Sequence, residues 1–251
     1  MQLIDTHCHL DDTRFDHDRE QALERAGSAG VDRFVVPSVC ESGWQKLSQI
    51  ARQNSSIYPA FGMHPWFCDR HSLNGLKKLG VYLDDAIAVG ECGLDFGKGR
   101  APEEEQVKWF RPQLELADER GLPVILHAYK SLDQVLHELQ GFPKVKGVLH
   151  SFSGSQQQAE RFMEHGFYLG IGTAVIQQQA TKLRTIVMQM PLEYLMLETD
   201  APDQPGINHR GQRNEPAFLI EIANEIATMR ALETAELVAA CNHNARELFA
   251  I

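Results

Sequence analysis

No two cysteines in this sequence stand at CxxC spacing, and the five present (Cys8, Cys40, Cys68, Cys92, Cys241) are scattered and odd in number. That argues for a reduced protein rather than one stapled by a disulfide framework. An apolar run of the ~20 residues needed to span a bilayer is also missing. So is a basic, apolar, small-residue leader, since the chain opens on strand-like Leu3-Ile4-Asp5-Thr6-His7. A cytoplasmic protein without a membrane partner is therefore expected. Positive charge is scarce: 24 Lys and Arg against 34 Asp and Glu leave a net charge of −10. This disfavours a protein that coats nucleic acid through a broad basic face. It does not disfavour phosphoester chemistry, because bound divalent cations can supply the local positive charge. Low-complexity stretches, linkers, repeats and a Gly-rich GxGxxG turn are absent too, so neither disorder nor a nucleotide-binding half-domain is indicated.

What is present is an ordinary soluble composition, 43% hydrophobic and 23% charged, with a mean hydropathy of −0.30. The 251 residues suit one (β/α)8 barrel, typically ~250 residues; two smaller domains are the alternative that length alone allows. Short apolar runs alternate with longer segments of helical period, the pattern of β/α units around a parallel sheet. Strands are predicted at Gln2–His7, Asp32–Pro37, Ile57–Gly62, Ala86–Gly90, Pro123–His127, Lys146–His150, Phe167–Gly172 and Tyr194–Glu198. Helical segments include Glu20–Ala29, Glu103–Arg120, Ser155–His165, Pro216–Arg230 and Ala231–Ile251. Ser155 and Gln158 stand at capping-box spacing, and Pro216 suits a helix start. Pro112 inside Glu103–Arg120 is expected to kink or split that helix. Eight strands interleaved with helices favour a single α/β domain over residues 1–251, a TIM barrel, against the rival of a doubly wound open sheet.

The titratable residues fall on this frame with a common address. Asp5, His7 and His9 close the first strand, His64 follows the third, and Glu91 follows the fourth. His127 and His150 end the fifth and sixth, and Asp200 follows the eighth. In a TIM barrel the C-terminal strand ends converge on one face, where catalytic groups gather. His7 and His9 are two apart in an extended segment, so both imidazoles project to one side and Cys8 to the other. Each residue alone has a plain structural explanation; their shared position at strand ends carries the case for a metal site made of His7, His9, Glu91, His127, His150 and Asp200. Imidazole suits zinc, nickel, manganese or iron, and carboxylates admit magnesium and manganese. The set has enough ligands for two divalent ions (Mg, Mn or Zn), with Glu91 as the natural bridge.

These segments resemble the TatD family of metal-dependent deoxyribonucleases, a branch of the amidohydrolase-like barrels. The resemblance runs through Ile4-Asp5-Thr6-His7-Cys8-His9, Gly62-Met63-His64-Pro65, Gly90-Glu91-Cys92-Gly93-Leu94-Asp95, His150-Ser151-Phe152-Ser153-Gly154, Glu198-Thr199-Asp200-Ala201-Pro202 and Arg213-Asn214-Glu215-Pro216. It implies a divalent-metal hydrolase of nucleic-acid phosphodiesters, a 3′→5′ exonuclease preferring single-stranded DNA ends. By the resemblance, His7, His9, Glu91 and Asp200 would hold one metal, and Glu91, His127 and His150 the second. His64 would contact substrate phosphate, and Asp95 would brace a loop or a ligand histidine. Relatives usually carry an Arg two positions after the fifth-strand His, where this chain has Tyr129 followed by Lys130. Lys130 reaching phosphate as a point charge, Tyr129 stacking a base and a position that only packs are the open alternatives. Arg210 and Arg213 are further phosphate candidates, with a solvated loop as the plain reading. The expected mechanism uses metal-activated water, with Asp200 as general base and His64 helping to stabilise charge on the phosphate. Two other functions stay open: an amide, lactone or cyclic-imide hydrolase of a sister barrel, and a non-catalytic metal-binding scaffold.

Overall fold

The computed structural model describes residues 2–251. Eight parallel strands follow one another in chain order around a single sheet: β1 (Leu3–Asp5), β2 (Val31–Pro37), β3 (Ile57–Phe61), β4 (Ala88–Asp95), β5 (Val124–Tyr129), β6 (Gly147–Leu149), β7 (Phe167–Ile171) and β8 (Leu195–Leu197). The sheet closes where the Thr6 N–H and hydroxyl both donate to the Leu197 carbonyl, at 3.1 and 2.9 Å. Asp5 strengthens this closure from beneath, accepting from the Thr199 N–H and hydroxyl. Burial raises the Asp5 carboxyl to about 7, against the pull of those donors. The fold is a (β/α)8 TIM barrel.

Helices α1 (Arg19–Ser28), α2 (Glu41–Gln53), α3 (Leu73–Tyr82), α4 (Glu103–Arg120), α5 (Leu132–Leu139), α6 (Gln156–Glu164), α7 (Thr181–Gln189), α8 (Leu219–Arg230) and α9 (Thr234–Phe249) accompany the strands. The capping box at Ser155 forms as its spacing predicts. Two apolar layers result. The larger lies between sheet and helices, with Trp44, Phe61, Phe110 and Phe162 among its buried side chains. The smaller gathers Ile4, Val35, Ala60, Ala88, Ile125, Val148 and Met196, one from each of seven strands, with Ala245 and Phe249 of α9. Asn242 accepts from the Ile4 N–H and donates to the Gln2 carbonyl, and Asn244 donates to the Leu192 and Leu195 carbonyls. Helix α9 thus spans the N-terminal strand ends, opposite the rim where the candidate ligands lie. Among the described residues, no helix is long and apolar enough to cross a membrane.

Two local expectations need correction. Of the kink or split expected at Pro112, the split is absent: α4 continues through it. A proline forfeits one helical hydrogen bond, but this helix is held from outside. Its buried face carries Trp109, Phe110, Leu114 and Ala117. In addition, Gln113 exchanges hydrogen bonds with Met63, accepting from its N–H and donating to its carbonyl, and Gln106 does the same for Asp95. The second correction concerns β4 and β5, which run beyond Gly90 and His127 to pair through Asp95 and Tyr129. A register shift between Val89 and Cys92 interrupts the ladder at Glu91, and such a bulge re-aims a side chain. Gly93 makes the close approach possible: its φ is +133°, and a Cβ there would lie 2.0 Å from the His127 carbonyl oxygen.

Candidate metal centre

Glu91, 2% exposed, stands at the middle of a cluster in which each of its carboxylate oxygens faces a different set of donors. Around Oε2 lie His7 Nε2 at 3.4 Å and His9 Nε2 at 3.6 Å. The same two nitrogens are 3.6 and 3.5 Å from Asp200 Oδ1 and 3.3 Å from each other. A tetrahedral ion with bonds of 2.0–2.1 Å has ligand–ligand edges of about 3.4 Å, and these contacts are of that length. The triad of His7, His9 and Glu91 and that of His7, His150 and Asp200 each bring their ligand atoms within 4.8 Å of one another. Around Oε1 lie His150 Nε2 at 3.0 Å, His127 Nδ1 at 3.1 Å and His64 Nε2 at 3.2 Å. His127 Nδ1 and His150 Nε2 are 3.2 Å apart.

The hydrogen bonds on the far side of each ring decide which nitrogen presents a lone pair. His9 Nδ1–H donates to the Pro37 carbonyl at 3.0 Å, leaving Nε2 free to ligate. His127 Nε2–H donates to Asp95 Oδ2 at 3.0 Å, which frees Nδ1. His150 Nδ1 is 3.6 Å from Glu198 Oε1. Metal-binding histidines characteristically have such a carboxylate or carbonyl behind them. His64 is the reverse case. Its Nδ1 accepts from the Trp66 N–H at 3.1 Å, so its Nε2 carries the proton and donates toward Glu91. The structure therefore places His64 inside the Glu91 cluster, as a donor.

Charge follows the same plan. Burial opposes ionisation of Glu91, but the surrounding imidazoles of His64, His150, His7 and His127 hold it well below the carboxylate range. Burial likewise opposes ionisation of Asp200, and His9, His150 and His7 hold it low. Burial would lower His9, but its hydrogen bond to Asp200 and the charge of Glu91 raise it to about 9. His64 goes down to about 4, because burial outweighs the attraction of Glu91. Buried polar atoms without partners include His7 Nδ1, His150 Nδ1 and Glu198 Oε2. A compact set of ionised carboxylates and inward-facing imidazole lone pairs fits divalent cations.

The remaining predicted residues lie outside this cluster. Tyr129 is 48% exposed, and the Lys130 ammonium sits over its ring at 5.4 Å. Arg210 is exposed. Arg213 does not fit the phosphate role expected of it: two donors on Nη1 go to the Arg14 carbonyl and Asp18, and two on Nη2 go to Asp18 and Glu215. Its guanidinium also covers the Phe15 ring at 4.2 Å. With Arg14 on Asp203 and Arg25 on Glu215, it clasps the segment after β1 to the segment after β8. Two residues next to the cluster were not among those predicted from the sequence. Glu198 is fully buried behind His150 and accepts from the Ser151 N–H at 2.6 Å. Gln204 donates to Asp200 Oδ2 and bonds Ser151. The Glu198-Thr199-Asp200 spacing at a strand end could have pointed to Glu198; nothing local marks Gln204.

Residues 4–250 match the family model described as TatD related DNase. The chain belongs to this family. Among TatD-family relatives it is 36% identical to the uncharacterized metal-dependent hydrolase YjjV of Escherichia coli, covering 99% of this chain and 98% of that one. It is 32% identical to the 3′-5′ ssDNA/RNA exonuclease TatD of Cronobacter sakazakii, over 98% of this chain and 97% of that one. The crystal structure of YjjV superposes with a TM-score of 0.92 at 34% identity, covering 99% of this chain and 98% of the other. A Deinococcus radiodurans lactonase with a TM-score of 0.69 and 13% identity shares the fold alone. As a TatD-family member the protein is a metal-dependent hydrolase.

Proposed function

We propose that this protein hydrolyses phosphodiester bonds of single-stranded DNA ends in the 3′→5′ direction, with two divalent ions (Mg, Mn or Zn). The observation that carries this reading is Glu91, whose two oxygens face two separate donor groups. His7, His9, Glu91 and Asp200 would hold one ion; Glu91, His127 and His150 would hold the other. Bound there, such a pair acidifies water and neutralises charge on a phosphoryl group. The nuclease named among the relatives supports the choice of bond. The five cysteines are free and buried, which suits a reducing compartment such as the cytoplasm.

The chain's own groups take distinct parts. Asp200 is the general base. Its Oδ1 faces His7 and His9, while Oδ2 is steadied by the Gln204 amide and takes the water proton. His64 offers a neutral, protonated Nε2, which turns from Glu91 to a phosphate oxygen when a strand is bound. Lys130 and Arg210 meet the backbone charge, and Tyr129 offers a ring to a base. The test is cleavage of 5′- and 3′-labelled single strands by protein loaded with Mg²⁺, Mn²⁺ or Zn²⁺, beside metal analysis and a panel of amides and lactones. Stepwise release from the 3′ end, silenced by EDTA, is expected. Turnover of amides or lactones without nucleotide release would overturn the assignment.

A further inference from the structure

Arg100 lies in the loop between β4 and α4, and its guanidinium is positioned without being used up. Its carbon stands over the Trp66 ring at 3.8 Å, and Nε is 3.8 Å from Asp95 Oδ1. Among the described residues its side chain makes no hydrogen bond, whereas Arg14, Arg25 and Arg213 give theirs to carboxylates. A planar cation held on an aromatic face keeps its fork of donors aligned and loses little freedom on binding.

The surroundings connect Arg100 to the metal centre. Trp66 donates from its indole to Asp95 Oδ2, the oxygen that also accepts from His127. The Trp66 ring meets those of His64 and His127 edge-on, at 5.2 and 6.0 Å. Across the sheet Asp95 pairs with Tyr129, and the Phe96 N–H donates to the Tyr129 carbonyl. A Cβ on Gly97 would lie 3.4 Å from the Tyr129 ring. Trp66 and Tyr129 are each 48% exposed. The rim beside His127 thus carries a guanidinium with Asp95 as a distant counterion and no hydrogen bond, beside two exposed aromatic rings, the equipment that a single-stranded nucleic acid requires.

We infer that Arg100, preorganised on Trp66, grips the phosphate next to the scissile one, while Trp66 and Tyr129 receive the adjoining bases. Asp95 and His127 stand between Arg100 and the Glu91 cluster, so it meets the neighbouring phosphate rather than the one undergoing hydrolysis. The inference rests on the nuclease reading.

The test compares metal-loaded wild type, Arg100→Ala and Arg100→Lys on a single-stranded oligonucleotide and on the same strand with a neutral methylphosphonate at the flanking linkage. Arg100→Ala should raise KM roughly tenfold with kcat nearly unchanged, and should reduce the slope of log KM against log salt by about 0.7. Arg100→Lys, a point charge without the fork, should fall between. The neutral linkage should weaken wild type by a similar factor and leave Arg100→Ala unaffected. Wild type indifferent to the neutral linkage, or Arg100→Ala with unchanged KM and salt slope, overturns the role of Arg100 alone. Failure of wild type to cleave any strand overturns it together with the nuclease reading. The neutral linkage is read on wild type, so it tests the contact even if a variant folds poorly.

Discussion

Gly170→Ala would strain the support of the candidate metal centre without touching any of its candidate ligands. Gly170 lies in β7 with a φ outside the left-handed region, so the added methyl brings no backbone penalty. It would instead sit 2.2 Å from Glu198 Oε2, 2.8 Å from its Cδ and 3.2 Å from the His150 Cα. Restoring ordinary contact requires the carboxylate to retreat by about 1 Å or more, and Glu198 is 0% exposed. Retreat forfeits the 2.6 Å bond from the Ser151 N–H and the 3.6 Å approach to His150 Nδ1. Overpacking costs about 1–3 kcal/mol and a lost hydrogen bond to a charged group about 1.5–3 kcal/mol, together roughly 2.5–6 kcal/mol. For a chain of this size that is a fall in Tm of about 5–24 °C. Divalent-ion affinity should drop about 10-fold as the carboxylate that faces His150 Nδ1 at 3.6 Å is displaced. The assays are thermal melts of EDTA-treated protein and calorimetric titration with Mn²⁺ or Zn²⁺. Shortening the acid with Glu198→Asp should recover part of the loss, so that Gly170→Ala/Glu198→Asp melts higher than the sum of the single effects. A Gly170→Ala protein with wild-type melt and affinity, or strict additivity in the double variant, would refute the coupling.

Three further outcomes are expected. Because His9 is raised to about 9, the metal-free centre holds a proton there at neutral pH that an ion must displace. Divalent-ion binding should therefore release protons and tighten as pH rises from 6 toward 9, seen by titrating in buffers of different ionisation enthalpy; affinity constant across that range would contradict it. Asp95→Asn should weaken metal binding about tenfold by depriving His127 Nε2–H of its carboxylate, and equal retention of metal on dialysis would count against that support. Arg213→Ala should open the clasp to Asp18 and Glu215 and lower Tm by about 2–8 °C. Those carboxyls are held below their usual range, Asp18 by its bonds to Arg213 and Arg25 despite burial, and Glu215 by the same arginines against burial. Their stabilisation is present above the unfolded values near 4 and is lost as pH falls through the folded ones, so the Tm gap between wild type and variant should close in acid; a gap that persisted would sink the account.

The barrel and the positions of the candidate ligands were legible in the sequence because both depend on local order. Alternating apolar runs announce strands, and polar side chains at their ends are the exceptions that apolar packing cannot explain. What depends on contacts between distant segments was not legible. The extension of β4 through Cys92-Gly93-Leu94-Asp95 follows from its ladder to β5, and no period within four residues can announce it. Pro112 is tolerated because Gln106, Gln113 and the apolar face fasten α4 to the strand rims. An arginine in a loop reads alike whether it faces solvent or a partner. Arg213 finds Asp18 across 195 positions, and Arg100 finds Trp66 only once two rim loops meet.

The junction between the first and last strands has a further consequence, for the order of events as the protein is made. Arg14 reaches Asp203 across 189 positions, and His7 and His9 face Asp200 Oδ1 at 3.6 and 3.5 Å. A growing chain displays its paired histidines early, yet they remain an incomplete pocket until β8 has been synthesised and docked. Contacts between such remote segments are slow to form, since the loop must close before they reward it. Hydrolytic competence therefore arrives last. In a refolding experiment, activity should trail the recovery of helical signal, which makes turnover a sensitive mark that the whole ring has closed.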